Sequence, residues 1–313
     1  MKRVLVLGAT GDQGHPLLTR LIAAGMTPVA ALRDTAALAK TEFAGVETVA
    51  ADLYDQKSMI AAAKGIDAIA AHLPFVFDLE LAKTLGDNIA AAARENNVAK
   101  IVFNTSCYIA DFDNGDPAHD GRRYIEHAII GSGSDYIIFE PKVFMDNMIR
   151  SWNKPSIVNN GIFAYPAKPD LEISWICLDD VAAFMVEALS RDNLPNGCYA
   201  IGGPDALVGG EVAARLSKVA GKPIAFKSLS PDEFASAMSL LVTGSADVEP
   251  LSIYDGMARL YRFYNSRPTS PLIADTQAMA RTFHHRPASI EEWAARQDWN
   301  DPRDPALAIR YAQ

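Results

Sequence analysis

The sequence has 313 residues, of which 49% are hydrophobic and 21% charged, and it carries a formal net charge of -9. A chain of this make-up buries a large core in one or two domains, which excludes disordered and fibrous classes. The acidic balance leaves no basic stripe for phosphate backbones. Direct binding to nucleic acid or to an anionic membrane is therefore disfavoured, and small molecules and proteins remain as partners.

Met1-Lys2-Arg3 followed by Val4 to Leu7 has the outline of a secretion signal, but the apolar stretch stops at Gly8 and is too short for one. No later segment reaches the roughly 18 uninterrupted apolar residues of a membrane span. The three cysteines, Cys107, Cys177 and Cys198, contain no C-x-x-C pair and fit neither a disulfide framework nor a zinc knuckle. Among the histidines only His284 and His285 cluster, and sequence neighbours do not present the i, i+4 face of a helical metal site. These features predict a cytoplasmic protein in a reducing compartment, with no metal.

Val4 to Leu7 is the short continuous apolar run of a strand buried on both faces. A helix from Pro16 to Ala24 follows, with proline tolerated in the first turn and Gly25 ending it. The alternation continues with strand Thr27 to Leu32, strand Val46 to Ala50, helix Gln56 to Ala63 and strand Ile66 to His72. Helix Leu79 to Asn96, strand Lys100 to Thr105, helix Arg122 to Ile130 and strand Tyr136 to Phe139 complete it. Strict alternation implies right-handed crossovers, hence an α/β fold with a doubly wound parallel sheet of six strands, the Rossmann arrangement.

After Pro141 the rhythm breaks. Pro155, Pro166 and Pro169, with Asn159-Asn160-Gly161, mark an irregular stretch before Ser174-Trp175-Ile176 and an amphipathic helix Asp180 to Leu189. The expected division is a dinucleotide-binding domain over 1–150, to which 172–202 returns, and a smaller, mainly helical lobe over 151–313. The lobe's predicted helices are Glu211 to Ala220, Asp232 to Leu241, Ile253 to Tyr264 and Ile290 to Arg296.

Between the first strand and its helix lies Gly8-Ala9-Thr10-Gly11-Asp12-Gln13-Gly14, with glycines at spacing three and three. Such glycines permit a tight turn and close backbone approach to a pyrophosphate, which the positive end of the helix dipole stabilises. The same triplet could be a tight turn that binds nothing, but its place inside a βαβ unit supports the dinucleotide reading. The end of the second strand selects the dinucleotide. Arg33 is placed to clamp a 2'-phosphate, whereas Asp34 could serve a ribose hydroxyl. A charge-assisted bond of about 1.5–3 kcal/mol would favour NADP(H) over NAD(H) by roughly ten- to a hundredfold. A solvated Arg33 with no role is the plainer alternative.

The glycine motif, Arg33-Asp34, Ala51-Asp52-Leu53, Pro141-Lys-Val-Phe-Met-Asp-Asn147 and Cys177-Leu-Asp-Asp-Val-Ala182 fall in the order seen in one family. The chain resembles the NmrA-like atypical short-chain dehydrogenases/reductases over most of its length, including the tail Phe283 to Ser289. The resemblance implies that Asp52 accepts from the adenine amino group and Leu53 packs on its ring, against a plainer capping or turn role for Asp52. His72, Leu73 and Pro74, and Asn104, Thr105 and Ser106, end strands at the C-terminal edge of the sheet and would line the pyrophosphate and nicotinamide ribose. Pro141 and Phe144 would border the cofactor, and Phe75, Phe77, Phe144 and Asn147 the substrate.

Typical short-chain dehydrogenases use Tyr-x-x-x-Lys, and no tyrosine here has a lysine four residues later. The lysine that the atypical family often keeps after the fifth strand is matched by Arg122. Arginine can hold the nicotinamide ribose and polarise a substrate oxygen, but it cannot act as a base. Ser106 and Tyr124 are the remaining candidate proton donors. Glu140 and Lys142, flanking Pro141, depart from the family's usual arginine and small residue. Cys107 is a candidate redox thiol, although buried inert cysteine is the commoner case.

The reading that follows is an NADPH-dependent reductase passing hydride to a small aromatic or conjugated carbonyl-type acceptor beneath the helical lobe. The rival is a non-catalytic NADP(H) sensor acting through a regulatory protein partner. A sugar-nucleotide epimerase or dehydratase comes last, because it relies on the missing Tyr and Lys. An enclosed pocket at the nicotinamide would favour the reductase, and an exposed apolar patch on the lobe the sensor.

Overall fold

The computed structural model describes residues 1–306; the end of the expected lobe, 307–313, lies outside the described residues. The first half alternates as its periodicity predicts: β1 (Arg3–Leu7), α1 (Gly14–Ala23), β2 (Thr27–Leu32), β3 (Glu47–Ala50), α2 (Gln56–Ala62), β4 (Ala68–His72), α3 (Leu79–Glu95), β5 (Lys100–Asn104), α4 (Pro117–Ile130) and β6 (Asp135–Pro141). Then come β7 (Val143–Phe144), a 3-10 turn at Met145–Ile149, α5 (Lys154–Asn160), β8 (Ile162–Tyr165), β9 (Ile173–Ile176), α6 (Leu178–Ser190) and β10 (Gly197–Ile201). β11 (Ala206–Leu207), α7 (Gly209–Ala220), β12 (Ala225–Ser228), α8 (Pro231–Thr243), α9 (Ile253–Ser266), α10 (Thr276–Thr282) and α11 (Ile290–Ala294) follow.

The main sheet has seven strands in the order β10-β6-β5-β4-β1-β2-β3, every pair parallel. Its two faces are separate apolar cores. On one, α1 and α6 bring Leu17, Leu18, Leu21, Phe184 and Leu189 onto Val4, Val6 and Val102. On the other, Leu85, Ile89, Ile125 and Ile129 of α3 and α4 cover Leu5, Leu7, Ile101 and Phe103. Helices on both faces explain why the strands read as continuous apolar runs rather than alternating ones.

The structure corrects several expectations. The strand that returns to the main sheet is β10, while Ile173–Ile176 pairs with β7 and β11 in a second sheet. β10 carries little apolar signal because it is an edge strand, with Cys198 and Ala200 exposed. α4 begins at Pro117, five residues before its expected start, with the Asp116 carboxylate accepting from the Ala118 N–H at 3.0 Å. The irregular stretch contains α5, whose first turn holds Pro155 and whose end is Gly161 in the left-handed region at φ 65°. Proline and glycine there punctuate a helix rather than preclude one.

The last segment is not all lobe. Phe283 packs edge-on against Phe184 and Tyr199, with ring centres 5.4 and 5.2 Å away. Beyond it, Asp180 of α6 meets His285 Nε2 at 2.8 Å and accepts from the Ala288 N–H at 2.9 Å. Burial alone would raise the Asp180 carboxyl, but bonds from His285, Cys177 and Ala288 hold it below its ordinary value. No helix among the described residues is long and apolar enough to cross a membrane.

Candidate dinucleotide and acceptor site

The glycine loop stands at the C-terminal edge of β1 and turns sharply into α1. Gly8 lies at φ 80°, and a Cβ there would sit 2.5 Å from the His72 carbonyl oxygen; one on Gly14 would sit 2.3 Å from the oxygens of Gly8 and Ala9. The fold itself therefore demands these two glycines. Gly11 differs, because a Cβ on it would meet nothing closer than 3.5 Å. It lines, with Thr10 and Asp12, a cavity of about 520 Å³. Space kept open beside the middle glycine is what a dinucleotide pyrophosphate needs.

The first residues of α1 are uncapped, since the Gln13 side chain is spent elsewhere. Its Oε1 accepts from Asn104 Nδ2 at 2.6 Å and its Nε2 donates to Ser106 Oγ at 3.0 Å. The Asn104 Oδ1 in turn accepts from the Ser106 N–H at 2.8 Å. Three residues expected at the site thus form one part-buried network joining the glycine loop to the end of β5. Ser106 holds the left-handed φ of 67°, unusual for a residue with a side chain, which turns the chain away from the sheet after β5. Thr105 contributes no free hydroxyl, because its Oγ1 bonds the carbonyls of Cys107 and Phe139. The Asp12 carboxylate is held 3.0 Å from Arg150, leaving that residue's backbone for a ligand.

Arg33 is exposed and makes no hydrogen bond or ion pair among the described residues. Asp34 is occupied in a turn with the Ala36 N–H. Asp52 does not cap α2, a role that Asp55 fills; its Oδ1 accepts from the Tyr54 N–H at 2.9 Å. Neighbouring Leu53 is half-buried. The His72 imidazole lies against Gly8, and burial pushes its pKa down to about 4, so it is neutral. Leu73 is buried and Pro74 exposed.

Arg122 is buried behind this turn. Its Nη2 donates to the Leu73 and Pro74 carbonyls, and Nη1 has no partner among the described residues. Burial lowers its pKa, yet a guanidinium stays charged. Tyr124 does not join the site. It projects from the outer side of α4 to Asp87, with its Oη 3.1 Å from Oδ1, because α4 turns consecutive residues to different faces.

A second, more enclosed pocket of about 130 Å³ brings together Phe75, Ser106, Phe144 and Asn147 from the expected set. Pro141 is buried just before it, at the end of β6. Phe77 is absent from the wall: it is buried against α9, where a Cβ on Gly256 would come 2.3 Å from its ring. The pocket is closed by Met257, Leu260, Tyr261 and Tyr264 of α9 and floored by Cys107 and Lys142. None of these α9 residues was singled out in the sequence. The Asn147 amide donates to Tyr165 Oη at 3.0 Å, which lies 2.6 Å from Tyr261 Oη. Burial pushes the Tyr165 phenol up to about 12 and those of Tyr261 and Tyr264 well above their ordinary value. These phenols are poor acids. Burial also pushes Cys107 up to about 12, so it is an unreactive thiol near neutral pH.

Histidine and cysteine spacing alone predicts no metal. Among the described residues, Glu126, Glu140 and Cys198 bring potential ligand atoms within 4.8 Å of one another. Burial and the charge of Glu140 push Glu126 up to about 8, and partial desolvation of its thiol, with the charges of Glu126 and Glu140, pushes Cys198 up to about 12 although the residue is exposed at the sheet edge.

The NmrA-like family model matches residues 1–294. The chain belongs to the NmrA-like family. An NAD(P)H azoreductase of Xenophilus azovorans is 31% identical over 260 residues, covering 82% of this chain and 86% of that protein. A triphenylmethane reductase of Citrobacter sp., solved with NADP(H), superposes with a TM-score of 0.76 at 18% identity, covering 95% of this chain and 99% of its own. A nucleoside-diphosphate-sugar epimerase of Staphylococcus aureus gives 0.76 at 22% identity, covering 94% and 100%. Those two likenesses establish the shared fold. The NmrA-like chain described here lacks the Tyr-x-x-x-Lys pair on which the epimerase reading relies.

Proposed function

We propose that this protein is an NADPH-dependent reductase whose acceptor is a small aromatic or conjugated carbonyl-type compound bound beneath α9. It is an oxidoreductase of the NmrA-like type, and its dinucleotide is NADP(H). The single observation that carries the reading is Ser106, which bonds the glycine loop through Gln13 while lining the enclosed aromatic pocket. One residue thereby touches both the expected cofactor cleft and the expected acceptor pocket.

The residues fit the dinucleotide. The Gly8 to Gly14 backbone offers the pyrophosphate cradle, the free Arg33 guanidinium suits a 2'-phosphate, and Asp52 and Leu53 border the adenine. The unpartnered Nη1 of Arg122 is a buried donor facing no protein acceptor. When bound, NADPH supplies the hydride. The protein's part is to orient the acceptor and exclude water: Phe75 and Phe144 supply flat apolar walls and α9 covers them. Ser106 lines the pocket beside them, its Oγ also 3.2 Å from the Gln13 Oε1 to which it donates. The azoreductase relative and the dye reductase of like fold support an aromatic acceptor.

A second reading, a dinucleotide sensor with a regulatory protein partner, draws on a different observation. Leu240 and Leu241 are 53% exposed and Val242 66% exposed at the end of α8. Such a patch suits a protein contact. The test is NADPH oxidation, followed by its absorbance, with quinones, aromatic ketones, enones, azo dyes and triarylmethane dyes, beside direct titration of NADPH. Turnover of at least one acceptor that Phe144→Trp abolishes is the expected result. Tight NADPH binding with no turnover of any acceptor would leave the sensor.

A further inference from the structure

Lys142 is the side chain the site has not used. It follows Pro141 in the short link between β6 and β7, fixed by its N–H donating to the Ile201 carbonyl at 3.1 Å. Only 5% of the residue is exposed, yet it lines the enclosed pocket. Its ammonium makes no hydrogen bond or ion pair among the described residues. The contact it does make is with the face of Tyr108, 4.8 Å from Nζ to the ring centre.

Most of the Lys142 side chain is buried while its ammonium stays open to the pocket with no anion at hydrogen-bond distance, and contact with one ring is small compensation for a cation drawn this far from bulk water. Burial lowers the pKa of Lys142, and the nearby Glu140 carboxylate opposes this through its field without closing an ion pair. The pocket's phenols and the Asn147 amide nitrogen already have partners. Asn147 bonds Tyr165, Tyr165 bonds Tyr261, and Tyr264 Oη donates to the Tyr108 carbonyl at 3.2 Å. The ammonium is therefore the uncommitted charge in a space walled by Phe75, Phe144 and Tyr261.

We infer that this pocket is a subsite for an aromatic ring bearing an anionic group, and that Lys142 determines specificity by pairing with that anion. The inference rests on the reductase reading and names its substrate class. A cavity of about 130 Å³ is close to what one benzene-sized ring fills. The ring faces around it supply apolar contact, and a carboxylate or sulfonate would meet the ammonium in a charge-assisted bond. A neutral carbonyl would accept the same proton but leave the charge unbalanced.

The decisive experiment is calorimetric titration of the full chain, loaded with NADP+, with benzoate and with its neutral analogue benzamide. Benzoate is expected to bind about tenfold or more tightly than benzamide, as a charged hydrogen bond implies. Lys142→Met should erase that preference and Lys142→Arg should keep it. Equal affinity of the wild-type protein for the two probes overturns the inference without any variant being needed, as does a preference that survives Lys142→Met. In kinetics, a carboxylated benzoquinone and its methyl ester separate the two claims. Lys142→Met should raise KM for the acid by a much larger factor than KM for the ester. If neither quinone oxidises NADPH, the wider acceptor panel decides the reductase reading while the titration still decides the role of Lys142.

Discussion

The Arg122 guanidinium lies across Phe75, its Cζ 5.0 Å from the ring centre, while its Nη2 bonds the Leu73 and Pro74 carbonyls at 3.0 and 2.8 Å. One side chain thus fixes both the turn after β4 and the aromatic wall of the acceptor pocket. Arg122→Met should cost about 1–3 kcal/mol in denaturant unfolding, the usual consequence of stranding acceptors that a charged donor had satisfied. It should also weaken NADPH binding. Arg122→Lys should retain more of the cofactor affinity than of the stability, since an ammonium lacks the planar fork that meets two carbonyls. Unchanged stability in Arg122→Met would remove the bracing role.

The three glycines of the loop separate into two kinds. Gly14→Ala forces a Cβ to within 2.3 Å of two backbone oxygens, so the variant should be strongly destabilised or fail to fold. Gly11→Ala meets the chain no closer than 3.5 Å and should melt like the wild-type protein. Its Cβ would still crowd a ligand pressed against the loop. NADPH affinity is expected to fall about tenfold or more, roughly the loss of one good phosphate contact. Fluorescence titration beside thermal melting checks this, and normal affinity in Gly11→Ala would place the pyrophosphate elsewhere.

Arg33 has the simplest expected readout because it is exposed and uncommitted. Arg33→Ser should lower NADPH affinity by about ten- to a hundredfold and leave NADH affinity unchanged, since only the 2'-phosphate calls for the guanidinium. Weaker binding of NADPH than of NADH by the unsubstituted protein would refute the assignment. An equal loss for both dinucleotides would give Arg33 a general electrostatic role instead.

The main sheet was legible because its strands are buried on both faces and leave continuous apolar runs, as at Val4 to Leu7 and Ile101 to Phe103. The cofactor loop was legible for a local reason: Gly8, Gly11 and Gly14 and the flanking strand and helix all lie within one short stretch. The acceptor pocket was only half legible. Phe75, Ser106, Phe144 and Asn147 sit at strand ends that the fold class identifies, but Tyr261 and Tyr264 arrive from α9, and no local pattern in α9 says which strand ends it covers. Lys142 stood out as a departure from the family pattern, though burial and lack of a partner are properties of the folded chain. β10 escaped notice because an edge strand with exposed Cys198 and Ala200 has no apolar run to read.

Glu126 gives stability an unusual dependence on pH. Burial, reinforced by the charge of Glu140 and only partly offset by Arg123 and Arg122, raises its pKa to about 8. In the unfolded chain a glutamate titrates near 4.3, so the folded state holds the proton longer. The sign follows: this contribution is complete below about pH 4, declines as pH rises, and is lost once pH passes about 8. Wild-type protein should therefore unfold more easily at about pH 9 than at about pH 5, by a few kcal/mol. Glu126→Gln keeps the neutral form's shape and has no proton to lose. Its denaturant midpoint should change little over that range and exceed the wild-type value at the alkaline end. Parallel pH profiles for the two proteins would show that the Glu126 carboxyl is better solvated than its position beneath β6 and β10 implies.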